Sequence, residues 1–233
     1  MKSHKKNYLK SICILSGGVD STTLLHRMVY QFDKVIALSF DYGQRHRKEL
    51  YFAKKTCQKL NIEHKIIKLS FFGEMKGSCL TEKTLKVPHG HYESSSMKLT
   101  VVPNRNSILL NIAIGFAISN QASVVGYGAH SGDHAIYPDC RPAFLYAIQN
   151  LAMVVHDSPV MIYAPFINYT KSQIIKEGKR RNVDYGLTWS CYEGGQVPCW
   201  KCGTCVERIE AFKLAQHIDP LWRKDEKIPR SKA

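Results

Sequence analysis

Short apolar runs alternate with segments of helical periodicity along most of this 233-residue chain, and no other sequence feature limits the fold as strongly. The runs are rich in β-branched residues and almost continuously apolar, which is typical of strands buried on both faces of a parallel sheet. We predict strands over 11–16, 34–40, 64–70, 123–128 and 159–165. We predict helices over 20–32, 47–60, 106–121 and 143–155. The alternation indicates an open α/β sheet with helices on both faces, whose ligands bind at the carboxyl ends of the strands.

Charge and hydropathy narrow the class of protein. No apolar run reaches the roughly 20 residues that a membrane-spanning helix needs, and the basic first residues run into SGGVDS before a signal-peptide core can form. We therefore expect a soluble, cytoplasmic protein with no membrane partner. Lys and Arg number 33 against 19 Asp and Glu, which gives a net charge of +14. This charge indicates an anionic partner, either a nucleic acid or a small anion.

The string SGGVDST (16–22) follows the first predicted strand and precedes the first predicted helix. Two adjacent glycines let an anion approach the backbone closely, and the helix start directs free N–H groups and the positive end of its dipole toward the same place. A plain turn capped by Asp20 or Ser21 is the alternative, but the full string in this context favours an anion site. The candidate nucleotide-binding residues are Leu15, Ser16, Gly17, Gly18, Val19, Asp20, Ser21 and Thr22.

Four of the eight cysteines lie close together near the end of the chain, in the spacing C-x7-C-x2-C-x2-C. They are Cys191, Cys199, Cys202 and Cys205. Four thiolates close a tetrahedral site around Zn²⁺, and ligand number and softness favour one structural zinc ion per chain. An iron–sulfur cluster and a redox pair of thiols are the alternatives.

We also expect specific roles for the charged and turn-forming residues around the cysteines. We expect Arg208 and Lys201 to offset part of the negative charge of the thiolates. We expect tight turns at Gly194, Gly195, Pro198 and Gly203.

Upstream, residues 70–103 interrupt the alternation of strands and helices. A loop of this length in a compact domain is usually functional or mobile, and a solvated insertion is the alternative.

SGGVDS resembles the PP-loop of the ATP pyrophosphatases, which bind ATP and activate a carboxylate, carbonyl or amide oxygen by adenylation. Four further strings accompany it: DYGQRHRKEL (41–50), VPNRN (102–106), GDHAIYPDCRP (132–142) and TWSCYEGG (188–195). Together with the cysteines they resemble the QueC family in order and spacing, from about residue 11 to residue 212. The resemblance implies an adenine nucleotide alpha hydrolase-like (Rossmann-like) open parallel sheet. It divides the chain into a PP-loop ATP-binding α/β domain (10–188), a zinc-binding segment packed on it (189–218) and a basic tail (219–233).

The resemblance also implies a reaction. Such a ligase forms C–N bonds: with ATP and Mg²⁺ it activates the carboxylate of 7-carboxy-7-deazaguanine, and ammonia then gives an amide. A second activation dehydrates the amide to the nitrile 7-cyano-7-deazaguanine (preQ0), a step of queuosine biosynthesis. The family implies a homodimer. The alternatives are a tRNA-modifying PP-loop enzyme, a variant that stops at the amide, and a non-catalytic zinc-ribbon module. Because much of the positive charge lies near the chain ends, we expect small anionic ligands and no direct nucleic-acid binding.

The same resemblance implies roles near the second strand and the third helix. Asp41, Tyr42 and Gly43 are expected at the nucleoside, although Asp41 is equally suited to cap a helix. Asn104 stands where a glycine is usual, and we expect it to adopt a left-handed backbone. Arg105 and Asn106 then begin a helix. Arg105 is expected to hold a phosphate or carboxylate through two hydrogen bonds, and a surface salt bridge is the alternative.

A further group of residues is expected to form the wall that meets the substrate: Asp133, His134, Asp139, Cys140 and Arg141. A carboxylate there can accept hydrogen bonds from the N1–H and 2-amino edge of a guanine-like base. No activating base adjoins Cys140 in sequence, so we expect packing or ligand contact and not nucleophilic attack. Lys171 is expected at the ATP phosphates, with a solvent-facing lysine as the equal alternative. The expected catalytic residues are Asp20, Ser21, Arg105, Asp133, Asp139 and Arg141.

Overall fold

Five parallel strands form the central sheet. The computed structural model describes residues 7–45, 47–92 and 94–222. The strands are β1 (Asn7–Ile14), β2 (Phe32–Asp41), β3 (Glu63–Lys68), β4 (Val124–Gly126) and β5 (Met161–Tyr163). Each neighbouring pair is parallel, and the order across the sheet is β3-β2-β1-β4-β5. All five predicted strands are confirmed, although β4 and β5 are shorter than predicted.

The predicted helices are confirmed as well. The described residues form α1 (Val19–Gln31), α2 (Lys48–Leu60), α3 (Arg105–Ser119), α4 (Pro142–Val154), α5 (Lys171–Arg180) and α6 (Gly203–Leu214). The sequence analysis did not predict α6, because the glycine and cysteines at its start were interpreted as metal-ligand turns. Among these helices, none is both long enough and apolar enough to cross a membrane.

Helices cover both faces of the sheet, as predicted. Successive side chains of a strand point to opposite faces, so neighbouring residues of β1 enter different apolar clusters. Ile12 packs in the cluster that contains Leu110 of α3. Cys13 packs in the cluster that contains Leu25 of α1 and Cys57 of α2. Cys13 is therefore a core residue, as its apolar neighbours predict.

The strand order reverses between β1 and β4. The chain leaves β1 through α1, on the face that contains Cys13, whereas α4, which follows β4, contributes Ile148 to the cluster on the opposite face. A crevice opens at the carboxyl ends of two strands whose connections diverge in this way. The string 16–22 directly follows β1 and therefore lies at this crevice.

Residues 70–103 are packed against the sheet through some of their side chains, while others such as Phe71 and Leu99 are exposed to solvent. They contain two short 3-10 helices, Ser70–Glu74 and Ser95–Thr100. Phe72 and Met97 are fully buried in the same apolar cluster as Ile12. Arg45 fixes the middle of the segment, because its guanidinium donates hydrogen bonds to the carbonyl oxygens of Cys79, Lys83 and Leu85.

A buried ion pair ties α6 to the chain that follows it. Arg208 is only 1% exposed and donates through Nε and Nη2 to the two carboxylate oxygens of Asp219, at 2.6 and 2.9 Å. Asp219 neutralises this guanidinium, so the expectation that Arg208 offsets the charge of the thiolates is wrong. Trp222 packs on Trp200, with ring centroids 4.6 Å apart. The predicted tail boundary at 219 thus lies within packed structure, and residues 223–233 lie outside the described residues.

Candidate active site

The turn between β1 and α1 directs backbone and hydroxyl groups toward a cavity. α1 begins at Val19, with Gly18 as its N-cap. Ser21 Oγ lies 2.9 Å from Ser16 Oγ and accepts a hydrogen bond from the Ser16 amide at 3.2 Å. Ser16 Oγ accepts a hydrogen bond from the Gly18 amide, also at 3.2 Å. A helix start placed beyond a strand in this way is the geometry that an anion site requires.

Gly17 is enclosed on two sides. Its φ of +94° lies in the left-handed region, and a Cβ there would lie 2.1 Å from the carbonyl oxygen of Glu49 in the first turn of α2. Its own carbonyl accepts a hydrogen bond from the Trp189 amide at 3.0 Å. The Trp189 ring stacks on Phe52 of α2, with centroids 6.0 Å apart, and the Lys48 ammonium lies 4.3 Å from its centroid. The loop, α2 and Trp189 therefore form one packed unit.

A cavity of about 240 Å³ lies at the carboxyl ends of β1, β2 and β4. Its walls come from residues far apart in the sequence, as expected at the switch point of a parallel sheet. The candidate residues that line it are Leu15, Ser16, Gly18, Val19, Asp20, Ser21, Tyr42, Arg105, Asn106, Asp133, Cys140 and Lys171. The candidate residues outside this lining are Gly17, Thr22, Asp41, Gly43, His134, Asp139 and Arg141.

Several of the residues outside the lining make local contacts. The Asp41 carboxylate accepts a hydrogen bond from the Gly43 amide at 3.3 Å and lies 3.4 Å from the Arg47 guanidinium. Arg47 is itself the N-cap of α2, so Asp41 does not cap that helix. Arg141 donates through Nε to the carbonyl oxygen of His134 at 2.8 Å, at the start of α4. These contacts place the Asp41 and Arg141 side chains outside the cavity wall.

Five side chains from four parts of the chain form a charged cluster beside the loop at residues 16–22, hereafter the phosphate loop. They are Asp20, His130, Asp133, Lys171 and Glu207. The Lys171 ammonium lies 3.4 Å from Asp20 Oδ2 and donates a hydrogen bond to the Glu207 carboxylate. His130 Nε2 lies 3.6 Å from Asp133 Oδ2 and 3.7 Å from Asp20 Oδ2. The Lys171 side chain is only 11% exposed, so the alternative of a solvent-facing lysine is wrong.

The charges of this cluster are fixed by its own members. Burial disfavours the charged form of Lys171, but the Asp20 and Glu207 carboxylates outweigh burial and raise the pKa of Lys171 well above its usual range. Burial also acts against the charged form of Asp133, but His130 and Lys171 hold the pKa of Asp133 below its usual range. The cluster therefore presents a permanent ammonium and a permanent carboxylate to the cavity at neutral pH.

One oxygen of Asp20 has no partner. Oδ2 faces Lys171 and His130, whereas Oδ1 is buried and makes no hydrogen bond to any described residue. A buried carboxylate oxygen without a partner is costly, and Asp20 lines the cavity. Such an oxygen fits a hard cation that arrives with a nucleotide, because these cations prefer oxygen ligands.

The start of α3 brings Arg105 into the cavity. Asn104 has φ 53° and ψ 18°, which confirms the predicted left-handed backbone. The amide of Asn106 donates to Asp139 Oδ2 at 3.1 Å, and Arg105 Nε donates to Asn106 Oδ1 at 3.2 Å. No ion pair within residues 7–45, 47–92 and 94–222 involves Arg105, so the surface salt bridge is wrong. Its guanidinium is available to an anion.

Cys140 lies in the cavity wall as a neutral thiol. Asn106 Nδ2 donates to its sulfur at 3.3 Å, and Tyr127 Oη lies 3.4 Å from it. Burial raises the pKa of the Cys140 thiol well above its usual range, and the nearby Asp133 carboxylate adds to this rise. Since the thiolate is the nucleophilic form, this environment fits the expected role in packing or ligand contact.

The four cysteines converge as the spacing predicts. Their sulfur atoms all lie within 4.8 Å of one another. The amides of Lys201 and Cys202 donate to Cys199 Sγ at 3.4 and 3.3 Å, and Cys205 lies in the first turn of α6. Amide donors and a helix N-terminus both favour thiolates over thiols. The cluster can therefore hold a metal ion.

The tight turns expected around the four cysteines are confirmed only in part. Gly194 has a φ of +70°, as a tight turn requires. Gly203 is not in a turn but begins α6, and a Cβ there would lie 2.7 Å from Met97 Sδ. A glycine is needed at this position because α6 and residues 70–103 pack closely, so the expected turn at Gly203 is wrong.

Several residues of the cavity and the charged cluster were given no role by the sequence analysis, among them His130, Tyr92, Glu207 and Glu49. His130 stands three residues before Asp133, and this proximity to a candidate acid was a usable signal. Tyr92 donates from the 70–103 segment to Asp133 Oδ1 at 2.9 Å, and Glu207 reaches Lys171 from α6. Neither has a local signal in the sequence. Glu49 belongs to the string 41–50 but was given no role.

The fold and the cavity define an α/β protein with a glycine-containing anion loop at the switch point of its sheet. The family model described as "Queuosine biosynthesis protein QueC" matches residues 10–216. This chain belongs to that family.

Individual relatives agree with the family. The 7-cyano-7-deazaguanine synthase of Hahella chejuensis is 51% identical over 213 residues, which are 91% of this chain and 92% of that protein. The protein of the same name from Caldicellulosiruptor bescii is 50% identical over 213 residues, 91% of this chain and 96% of that protein. Among solved structures, NMN synthetase from Francisella tularensis aligns with a TM-score of 0.49 and 17% identity, over 82% of this chain and 69% of that chain. This last likeness is too distant to bear on function.

Replacement of Gly17 by alanine should separate the phosphate loop from α2. The new Cβ cannot stay 2.1 Å from the Glu49 carbonyl oxygen, and a non-glycine residue at this φ adds about 1 kcal/mol of backbone strain. We expect a lower unfolding temperature and at least tenfold weaker ATP binding by titration calorimetry, a loss of about 1.4 kcal/mol.

Gly77→Ala is the matched control, since Gly77 has a similar φ of +97° but nothing within 4 Å of the position of a Cβ. We expect this variant to lose stability through backbone strain alone and to keep its affinity for ATP. Equal weakening of ATP binding in both variants would contradict the role given to the contact between Gly17 and Glu49.

Proposed function

We propose that this chain uses ATP to convert 7-carboxy-7-deazaguanine and ammonia into 7-cyano-7-deazaguanine, the product after which its relatives are named. One observation carries the proposal: in a chain of the QueC family, the phosphate loop, the Lys171 ammonium and the Asp133 carboxylate lie at one cavity. Such a cavity offers donors to phosphates and an acceptor to a base.

The loop and the cations would serve the activation step. A carboxylate is a poor electrophile until its oxygen becomes part of a leaving group, and adenylation achieves this for the acid and later for the amide. The backbone amides at the start of α1 and the Ser21 hydroxyl would bind the departing pyrophosphate. Lys171 and Arg105 would offset the charge that develops on it. Fixed donors of this kind stabilise a transition state without reorganising.

Asp133 would recognise the base. It is ionised at neutral pH, and it accepts a hydrogen bond from Tyr92 through Oδ1 while His130 lies near Oδ2. These contacts fix the orientation of the carboxylate. An oriented carboxylate can accept hydrogen bonds from the N1–H and 2-amino groups of a deazaguanine.

Asp20 would be the ligand for Mg²⁺. Its buried Oδ1 is an oxygen donor without a partner among the described residues, which is the ligand type that Mg²⁺ prefers. When bound with ATP, the ion would neutralise phosphate charge. Asp20 itself orients the site, because its other oxygen faces Lys171 and His130.

The four-cysteine cluster would hold Zn²⁺. Zinc–sulfur bonds of about 2.3 Å in a tetrahedron give sulfur–sulfur distances of about 3.8 Å, and the sulfur atoms already lie within 4.8 Å of one another. All four protein ligands are present, as in structural zinc sites. The chemistry of the site would fall to other residues, and the metal would fix the position of the segment that contains Trp189.

The remaining properties concern location and partners. Eight free thiols and a thiolate metal site suit the reducing cytoplasm, where we propose that the protein acts. We propose small molecules and no nucleic acid as its ligands, because the cationic side chains of Arg105 and Lys171 line the cavity.

We propose a homodimer through the exposed apolar side chains of α4 and β5, which are Tyr146, Val154 and Met161 among others. Sedimentation at micromolar concentration should give the mass of two chains, and the mass of one chain would contradict it.

Incubation of the purified chain with 7-carboxy-7-deazaguanine, ATP, Mg²⁺ and ammonium should yield the nitrile, followed by mass spectrometry. Ser21→Ala should lower turnover about a hundredfold, since it removes one donor to the leaving group. Ser119→Ala, an exposed serine of α3, is the control and should leave turnover unchanged. Products that end at the amide would identify the variant reaction, and failure to consume the acid would contradict both.

Metal analysis of the purified protein should find about one zinc ion per chain and no visible absorbance from iron. Cys202→Ser should lose the metal together with solubility, because metal binding at such sites contributes directly to folding. Cys57→Ser alters a buried cysteine outside the cluster and should keep the metal. Stoichiometric iron with visible absorbance would instead identify an iron–sulfur cluster.

A further inference from the structure

Glu49 is a cavity carboxylate without a part in the activation step. It lies in the first turn of α2, and its carbonyl oxygen faces Gly17. Its backbone is therefore fixed against the phosphate loop. Its side chain lines the cavity together with Tyr42 and Arg105.

The Glu49 carboxylate has no hydrogen bond and no ion pair with any residue in the described part of the chain. The other two carboxylates of the lining, Asp20 and Asp133, face Lys171 or His130. Glu49 differs from them in one respect that matters chemically: no described side chain holds its carboxylate in an ion pair or a hydrogen bond.

The surroundings of Glu49 place its titration near neutrality. Burial raises the pKa of Glu49 to about 7, and the Arg105 guanidinium opposes part of that rise. Tyr42, after β2, also faces it and is neutral, because burial raises the pKa of its phenol. Arg45 lines the same cavity, but its guanidinium is bonded to three backbone carbonyls of the 70–103 segment.

We propose that Glu49 is the proton acceptor for the nitrogen steps of the reaction. This inference rests on the proposed function and adds a residue to it. When ammonia attacks the adenylated carbonyl carbon, the nitrogen lone pair forms the C–N bond. The C–O bond to AMP then breaks with its electron pair on AMP, and the Glu49 carboxylate takes one N–H proton.

The same carboxylate serves the second half of the reaction. After the amide oxygen is adenylated, the C–O bond breaks toward AMP and the carbon–nitrogen triple bond forms as the nitrogen loses two protons. Glu49 takes one of them and a water molecule takes the other. Other lining groups are less suited to this task, because Cys140 is a neutral thiol, Lys171 is a permanent cation and Asp133 is a weak base whose pKa is lowered.

The two halves of the chemistry differ in their need for a base, and this difference provides the test. Adenylation of an ionised carboxylate transfers no proton, whereas formation of the amide and of the nitrile does. Glu49→Gln should therefore still release pyrophosphate from ATP and the acid when ammonium is absent. Nitrogen incorporation should fall by about a hundredfold or more at a fixed concentration of free ammonia, the usual contribution of a general base.

Hydroxylamine distinguishes a role of Glu49 in accepting a proton from a role in binding the substrate. It is less basic than ammonia, and the proton that it loses on attack passes readily to water. Glu49→Gln should form the hydroxamate at a rate within about threefold of the unmodified protein while it forms the amide poorly. At a fixed concentration of free ammonia, nitrogen incorporation by the unmodified protein should rise as the pH rises through about 7, and the variant should lack this rise.

Stability gives an independent control. A carboxyl whose pKa is raised by folding stabilises the fold below its unfolded value, and that contribution is lost as the pH rises through about 7. Glutamine does not ionise, so Glu49→Gln should unfold at pH 8 at the same or a higher temperature than the unmodified protein. Glu74→Gln changes an exposed glutamate outside the cavity and should leave every rate unchanged.

The possible outcomes separate this inference from the proposed function. No pyrophosphate release by the unmodified protein would overturn the proposed function and this role with it. Normal nitrogen incorporation by Glu49→Gln, or loss of its pyrophosphate release, would overturn the role of Glu49 alone. If Glu49→Gln fails to fold, Glu49→Asp decides the question: a slower enzyme that keeps the rise near pH 7 supports the role, and one without that rise overturns it.

Discussion

The site depends on one hydrogen bond, from the Trp189 amide to the carbonyl oxygen of Gly17. It joins the first loop of the sheet to a segment that follows the last strand. On the opposite side, the same glycine meets the Glu49 carbonyl so closely that no side chain fits between them. Stacking of Trp189 on Phe52 closes the arrangement. Because β1, α2 and the C-terminal segment meet at a single glycine, a shift of any one of them moves the others, and the cavity they share keeps its shape.

A network of buried charged side chains also holds the site together. Lys171 is buried and would be costly to charge alone, but Asp20 and Glu207 make its charged form the stable one. His130 and Tyr92 do the same for Asp133. The members of this network come from five separate parts of the chain, so no short stretch contains it. The fold therefore sets the charges of Lys171 and Asp133, and Glu49 is the carboxylate of the cavity lining whose pKa is raised.

Most of the fold and part of the site could be predicted from the sequence, and the limits have physical causes. Strands and helices were predicted correctly because their periodicity is local. The loop at 16–22 was found because strand, glycines and helix start are contiguous. Glu207 was missed because its partner Lys171 is distant in sequence, and α6 was missed because cysteines carry no helical signal. Asp41 and Arg141 belong to strings that the sequence analysis assigned to the site, but their side chains bond to neighbouring backbone or to Arg47 outside the cavity.

The place of Trp189 in the sequence has a consequence for synthesis of the protein. Translation produces the loop at residues 16–22 long before Trp189, whose amide donates to Gly17, and before Glu207, the partner of Lys171. Domains tend to fold from the N-terminus as they leave the ribosome. A nascent chain of this protein can build β1 to β3 early, yet the walls of the cavity are incomplete until the residues from Trp189 to Glu207 have emerged.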